Sequence, residues 1–212
     1  MENKVYKNLV DGEWRSSENQ TTIFSPIDDK EMGKVQAMSH EEIDKAMESS
    51  KKALKLWREV PVVERAKVLY KAAELLEKRK DEIGEVLARE VAKNIKSAVS
   101  EVVRTADLIR YTAEEGIRVH GEVIRGDTFE AASKNKLAII RREPMGVVLA
   151  IAPFNYPINL SASKIAPALI GGNVVIFKPP TQGAISGILL TEVFEDAGLP
   201  KGVLTSVTGN GS

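Results

Sequence analysis

The strongest constraint on this chain is the alternation that runs from Val147 to Ser212. Val147-Val-Leu-Ala-Ile-Ala152 is an apolar run of strand length, Asn159 to Ile170 has helical texture, and Val174-Val-Ile-Phe177 is a second apolar run. Ile185 to Ala197 then reads as a helix and Val203 to Val207 as a third strand. Strands that are apolar throughout must be covered on both faces, and helices between consecutive strands imply parallel pairing. Gly171-Gly172 and Gly198 fall where helices stop and supply the left-handed backbone that a helix C-terminus favours. The pattern predicts an α/β fold containing the first half of a doubly wound parallel sheet. Thr208-Gly-Asn-Gly-Ser212 reads as a glycine-rich turn at the carboxyl end of a strand, where a helix should follow. The expectation is therefore a piece of a larger protein.

Ahead of that segment the texture changes twice. Residues 5 to 36 read as short strands, with Asp11-Gly12 favouring a tight type I′ hairpin. Ser39-His-Glu-Glu42 is a capping box, in which Ser39 accepts from the third helical amide while Glu42 reaches back. The helix it opens runs to about Leu56; Pro61 opens a second to about Arg79, and residues 81 to 92 form a third. Ile95, Val99, Val102, Ala106, Ile109 and Ala113 make one long stripe, with Lys96, Glu101 and Arg110 lying off it. Core packing is the simpler reading of that stripe, a partner interface the alternative. From about His120 to Pro144 the pattern becomes β again, in polar segments that resemble an arm pairing with another subunit. Three regions result: a hairpin and helical part over 1–119, a β oligomerisation arm over 120–146, and the first half of a Rossmann-like dinucleotide-binding domain over 147–212.

Composition removes chemistry rather than assigning it. With no cysteine and 2 histidines, the chain cannot build a thiol nucleophile, a disulfide framework, a Cys-based metal site or a histidine cage, so no metal is expected. The 30 Lys+Arg balance 30 Asp+Glu, which argues against a nucleic-acid partner. No apolar run approaches ~18 residues, and the first residues carry mixed charge, so a cytoplasmic protein without a membrane partner is expected. Ser161-Ala-Ser-Lys164 matches the S-x-x-K pattern of penicillin-recognising enzymes by chance, because the companion motifs are missing from this sequence. The pairs Glu41-Glu42 and Glu114-Glu115 point about 100° apart on a helix and do not form a two-carboxylate site.

In open parallel sheets ligands bind beyond the carboxyl ends of the strands, so three loops hold the candidates: Pro153-Phe-Asn-Tyr-Pro157, Lys178-Pro-Pro-Thr-Gln182 and Thr208-Gly-Asn-Gly-Ser212. Lys178, followed by two prolines, can offer an ammonium to a ribose hydroxyl or a phosphate; the plain alternative is a solvated surface lysine. Asn155, bracketed by prolines, can donate to a developing oxyanion or merely satisfy its own turn. Gly209 and Gly211 would let a pyrophosphate approach the backbone, although the full G-x-G-x-x-G fingerprint is missing.

The Pro153–Pro157 loop followed by Lys178-Pro-Pro-Thr181 resembles the N-terminal part of the aldehyde dehydrogenases. Asp11-Gly-Glu-Trp14, Trp57-Arg58, the Arg65 region and the Gly209 turn extend the likeness over the whole chain. Ser97 to Ala106, Phe129 to Lys134 and Arg141-Arg-Glu-Pro144 are similar to the NADP-dependent, non-phosphorylating glyceraldehyde-3-phosphate dehydrogenases within that superfamily. The resemblance implies an oxidoreductase that attacks an aldehyde with a cysteine thiolate, passes hydride to NADP and hydrolyses the thioester, the cysteine and the general-base glutamate lying outside this chain. It implies that Asn155 holds the oxyanion, that Phe154, Lys178, Pro180, Thr181, Gly209 and Gly211 bind the cofactor, and that Arg104 and Tyr156 bind the substrate phosphate. NAD-preferring relatives commonly carry Glu where Thr181 stands, so Thr181 implies NADP preference. The implied partners are a small phosphorylated aldehyde and further copies of the chain, as a tetramer or dimer of dimers. Two other readings remain: a related semialdehyde or other aldehyde dehydrogenase using NAD or NADP, and a non-catalytic cofactor-binding or assembly module.

Overall fold

The computed structural model describes residues 4–130 and 133–209. Short strands come first: β1 (Val5–Tyr6), β2 (Asn8–Val10), β3 (Glu13–Arg15), β4 (Asn19–Phe24) and β5 (Glu31–Ala37). β2 and β3 form the expected hairpin, with Asp11 at φ 56° and Gly12 at φ 69°, the two positive angles a type I′ turn requires. β5 is the centre of a three-stranded sheet, parallel to β1 and antiparallel to β4. Helices α1 (His40–Trp57), α2 (Val62–Lys78), α3 (Lys80–Glu90) and α4 (Ile95–Arg118) follow. Both arms of the Ser39–Glu42 capping box are made. Pro61 is the N-cap of α2 rather than its first helical residue, and its missing N–H still leaves no helical bond unmade.

An antiparallel hairpin, β6 (Glu122–Arg125) with β7 (Leu137–Ile140), precedes the parallel unit. That unit is β8 (Val147–Ile151), α5 (Asn159–Ile170), β9 (Val174–Lys178), α6 (Ala184–Asp196) and β10 (Leu204–Ser206), with sheet order β10-β9-β8. All pairs are parallel and in register, Ile151 opposite Lys178 and Phe177 opposite Ser206. Helices α5 and α6 end at Gly172 and Gly198 with φ of 81° and 93°, as their sequence positions suggest.

The expectation of a sheet covered on both faces holds for β9 and β10 but not for β8. Val174 to Phe177 and Leu204 to Ser206 are buried, whereas Leu149 and Ile151 are 60% and 54% exposed. β8 is the edge of the described sheet, and among the described residues nothing lies over these two side chains. The α4 stripe also needs two corrections. Ile95 is exposed because it opens the helix before α4 reaches its neighbours, and the buried row starts at Ala98. Glu101, expected off the stripe, is 2% exposed. It stands three residues after Ala98 and four before Thr105, on the inward face.

Two buried glutamates join the helical layer to the parallel unit. At the end of α3, Glu90 accepts from the Ile185 N–H (2.7 Å), the Ser186 N–H (2.9 Å) and the Ser186 hydroxyl (2.6 Å), thereby capping α6. Glu101 accepts from the Ile158 and Asn159 N–H groups, each at 3.1 Å, and so caps α5. Neither helix carries a side-chain cap of its own. The carboxylates thus satisfy amides that would otherwise be buried without acceptors.

Burial pushes the Glu90 carboxyl above the usual glutamate range, while the hydrogen bonds from Ser186 and Ile185 pull it back. A carboxyl that titrates higher in the folded state favours folding most at pH below the ordinary glutamate range, and that contribution is lost as pH rises through the folded value. Glu90→Gln removes this slope and turns an amide NH₂ toward one of the donors. It should lower stability at neutral pH by about 1–3 kcal/mol. Denaturant titration across pH checks both effects, and an unchanged midpoint with an unchanged slope would remove Glu90 from this role.

Candidate active site at the carboxyl edge of the sheet

Parallel register brings the ends of β8, β9 and β10 to one edge, so the three candidate loops emerge side by side. Pro153 to Tyr156 are exposed, with Phe154 at 63% and Tyr156 at 44%, while Pro157 and Ile158 turn inward. The fixed groups of this loop belong to its backbone and to the Tyr156 ring. Glu101 holds its far end through Ile158, and the Lys93 ammonium donates to the Asn155 carbonyl oxygen at 2.9 Å. The same ammonium lies 4.0 Å from the centroid of the Tyr156 ring and pairs with the second Glu101 oxygen. The Asn155 side chain is thereby left on the exposed side of a backbone that is held in place.

The second loop is pinned as closely. Lys178 is half-buried at the end of β9, Pro179 is buried, and Thr181 is exposed. The Gln182 amide donates to the Phe24 carbonyl at 3.1 Å and also to the Glu90 carbonyl. Gly183 has φ 117°, and a Cβ there would meet Pro157 Cβ at 2.8 Å. Only glycine allows this approach, which presses the Lys178 loop against the Asn155 loop. Thr208 starts the third loop, its hydroxyl donating to the Gln36 carbonyl at 2.6 Å and its own carbonyl accepting from the Met38 N–H. Gly209 is half-buried just beyond it, and Gly211 lies outside the described residues.

Helix N-termini at such an edge ordinarily offer anion sites. Here the first turns of α5 and α6 already hold the Glu101 and Glu90 carboxylates, each buried. A phosphate arriving at either would find the donors already engaged by a buried carboxyl group. Of the three strand ends, the one at Thr208-Gly209 has no such carboxylate among the described residues.

Arg104 is exposed on α4, as expected, but it lines a separate cleft of about 980 Å³ with Arg65, Tyr111, His120, Arg141 and Asn159. Asn155, Tyr156, Lys178 and Thr181 do not line that cleft. The described residues therefore bring Asn155, Lys178 and Thr181 to one edge and leave Arg104 in a neighbouring depression. Sequence reading missed Lys93, Glu90 and Glu101. For Glu101 the signal was its spacing from Ala98 and Thr105; for Lys93 it was a position just beyond the C-terminus of α3.

The aldehyde dehydrogenase family model matches residues 14–212. An NADP-dependent glyceraldehyde-3-phosphate dehydrogenase of Streptococcus equinus is 58% identical over 209 residues, covering 99% of this chain and 44% of that protein. One of Zea mays is 48% identical over 216 residues, covering 100% of this chain and 43% of that protein. Among solved structures, an NADP-dependent glyceraldehyde-3-phosphate dehydrogenase from Bacillus halodurans C-125 complexed with NADP superposes with a TM-score of 0.96 at 49% identity, over 99% of this chain and 44% of its own. The chain thus spans less than half the length of these relatives. With the strand-end loops, the parallel unit and the family model agreeing over nearly every residue, the chain belongs to the aldehyde dehydrogenase family.

Proposed function

We propose that this chain is the N-terminal portion of an NADP-dependent aldehyde dehydrogenase that oxidises glyceraldehyde 3-phosphate to 3-phosphoglycerate, with the nucleophilic cysteine supplied outside it. The observation that carries the reading is the pairing, across Gly183 and Pro157, of a fixed Asn155 loop with a Lys178 loop that contains no carboxylate. The names and identities of the relatives above support the choice of cofactor and substrate. We further read residues 1–119 and 147–212 as parts of one cofactor-binding unit. On this reading residues 120–146 form an oligomerisation arm, with Val123, Leu137 and Ile139 exposed on the hairpin. A cytoplasmic enzyme of glycolysis, assembled as a homotetramer or dimer of dimers, fits that reading.

The residues present fit NADP. Lys178 offers an ammonium at the central strand end, where a ribose hydroxyl can accept from it. Thr181, exposed three residues on, offers a neutral hydroxyl where a carboxylate would repel a 2′-phosphate. Phe154 and Pro180 supply apolar surface on the two adjoining loops, and Gly209 leaves room at the third strand end, with Gly211 following in sequence. NADP, when bound, supplies the hydride acceptor. The Asn155 amide donates to the oxygen that gains charge as the aldehyde is attacked. On this reading Arg104, whose guanidinium fork suits a dianion, and Tyr156, on the loop outside the Arg104 cleft, approach the substrate phosphate from separate surfaces.

A carboxylate at position 181, about 5 Å from a 2′-phosphate at an effective dielectric near 20, opposes it by roughly 3 kcal/mol per unit charge before screening. Thr181→Glu in the full-length enzyme should lower the NADP-to-NAD ratio of kcat/KM by about 10- to 100-fold. An unchanged ratio would refute the assignment of Thr181.

Arg104→Leu should raise KM for glyceraldehyde 3-phosphate by roughly 10-fold or more, as loss of a charge-assisted contact implies, and leave a non-phosphorylated aldehyde nearly unaffected. Equal losses on both aldehydes would favour a substrate without a phosphate.

A further inference from the structure

Ala92 has φ 51°, a left-handed backbone that costs an alanine about 1–2 kcal/mol. It stands between α3 and α4, where the Lys93 N–H bonds back to the Ala88 carbonyl at 3.0 Å and closes the end of α3. The turn sends the Lys93 side chain, 15% exposed, toward the Pro153–Pro157 loop. There the ammonium meets three groups: the buried Glu101 carboxylate, the Asn155 carbonyl oxygen at 2.9 Å, and the face of the Tyr156 ring at 4.0 Å. An ammonium has three N–H donors and no acceptor, and each of these groups can take one. Glu101 is committed on its other side to the Ile158 and Asn159 amides, so the ammonium and the start of α5 are tied through a single carboxylate.

We infer that Lys93, oriented by Glu101, is a positioning residue that fixes the Asn155 backbone and the Tyr156 ring, and through them the oxyanion amide and one wall of the substrate-phosphate site. The inference rests on the reading of Asn155 and Tyr156 proposed above. Lys93 acts on the loop through its backbone and one ring face. An amide aimed at a developing charge works only if its carbon frame stays within about 0.5 Å of the productive position. Two prolines restrict the loop at its ends, and Lys93 supplies the restraint between them.

The test is a double-mutant cycle in the full-length enzyme, combining Lys93→Met, which keeps the stem and removes the donors, with Asn155→Ala. Lys93→Met should lower kcat by about 10-fold or more, with the NADP dissociation constant within 2-fold, since the loop that carries Lys178, Pro180 and Thr181 is untouched. In the Asn155→Ala background the same change should cost little more, because the group it positions is gone. Lys93→Arg should recover part of the turnover; if Lys93→Met does not fold, the cycle is run with Lys93→Arg and read in the same way. Unchanged kcat, or a full multiplication of the two losses, would overturn the positioning role while leaving Asn155 its function. If Asn155→Ala alone fails to slow turnover by about 10²–10³-fold, the reading on which the inference rests falls, and the inference with it.

Discussion

Burying a carboxylate among apolar side chains is costly unless donors converge on it, and this molecule does so twice at the same kind of place. Glu90 closes the third helix onto the start of α6, and Glu101 closes the fourth onto the start of α5. Each contact satisfies amides that the parallel unit cannot satisfy itself, because neither helix begins with a capping side chain. The helical layer and the sheet are therefore coupled by hydrogen bonds to charge as well as by apolar packing. Such bonds are directional, so they set where each helix starts, and with it where each preceding loop must end. The Asn155 and Lys178 loops inherit their positions from these two carboxylates.

The same contacts decide where an anion can bind. A doubly wound sheet presents a helix N-terminus after each strand, and phosphate commonly takes one. Two of these termini are here occupied by glutamate carboxyl groups buried against them. What remains useful at the ends of β8 and β9 is side-chain chemistry: an amide on Asn155, an ammonium on Lys178, a hydroxyl on Thr181. Beyond β10, Thr208 and Gly209 meet no such carboxylate among the described residues, and the Thr208 hydroxyl and carbonyl are both engaged with the β5 end.

Periodicity made the parallel unit legible, because short apolar runs separated by helical segments and closed by glycines admit few other arrangements. The Asp11-Gly12 turn and the Ser39 capping box were legible for the same reason: each is a local conformation written in adjacent residues. Glu101 was misread because charge alone assigns a glutamate to solvent, and its partners lie in segments 57 and 58 residues away. Glu90 drew no reading at all, its partners lying across an even longer separation. The open face of β8 departs from the pattern for another reason: sequence shows that a strand is apolar on both sides but not what covers it. Of the candidate site, Asn155 and Lys178 were found from their place after strands and Thr181 from the family resemblance, whereas the restraints on them came only with the fold.

The strain at Ala92 shows how these levels meet. A glycine in the same left-handed turn would be less strained, yet it would lose more chain entropy on folding, roughly 0.5–1 kcal/mol against the alanine. Much of the strain is thereby offset, and the alanine gives a stiffer turn. Stiffness matters here because the residue that follows is Lys93, whose long stem has several rotors and would lose up to about 2 kcal/mol of freedom when held in place. A turn that fixes the stem's origin, a buried carboxylate that fixes its end and an aromatic face along its path each reduce the number of places that ammonium can go. The cost of ordering the lysine is met within the folded chain, before any substrate arrives. On the proposed function, that leaves more of the substrate's binding energy for the reacting centre, where only interactions stronger in the transition state raise the rate.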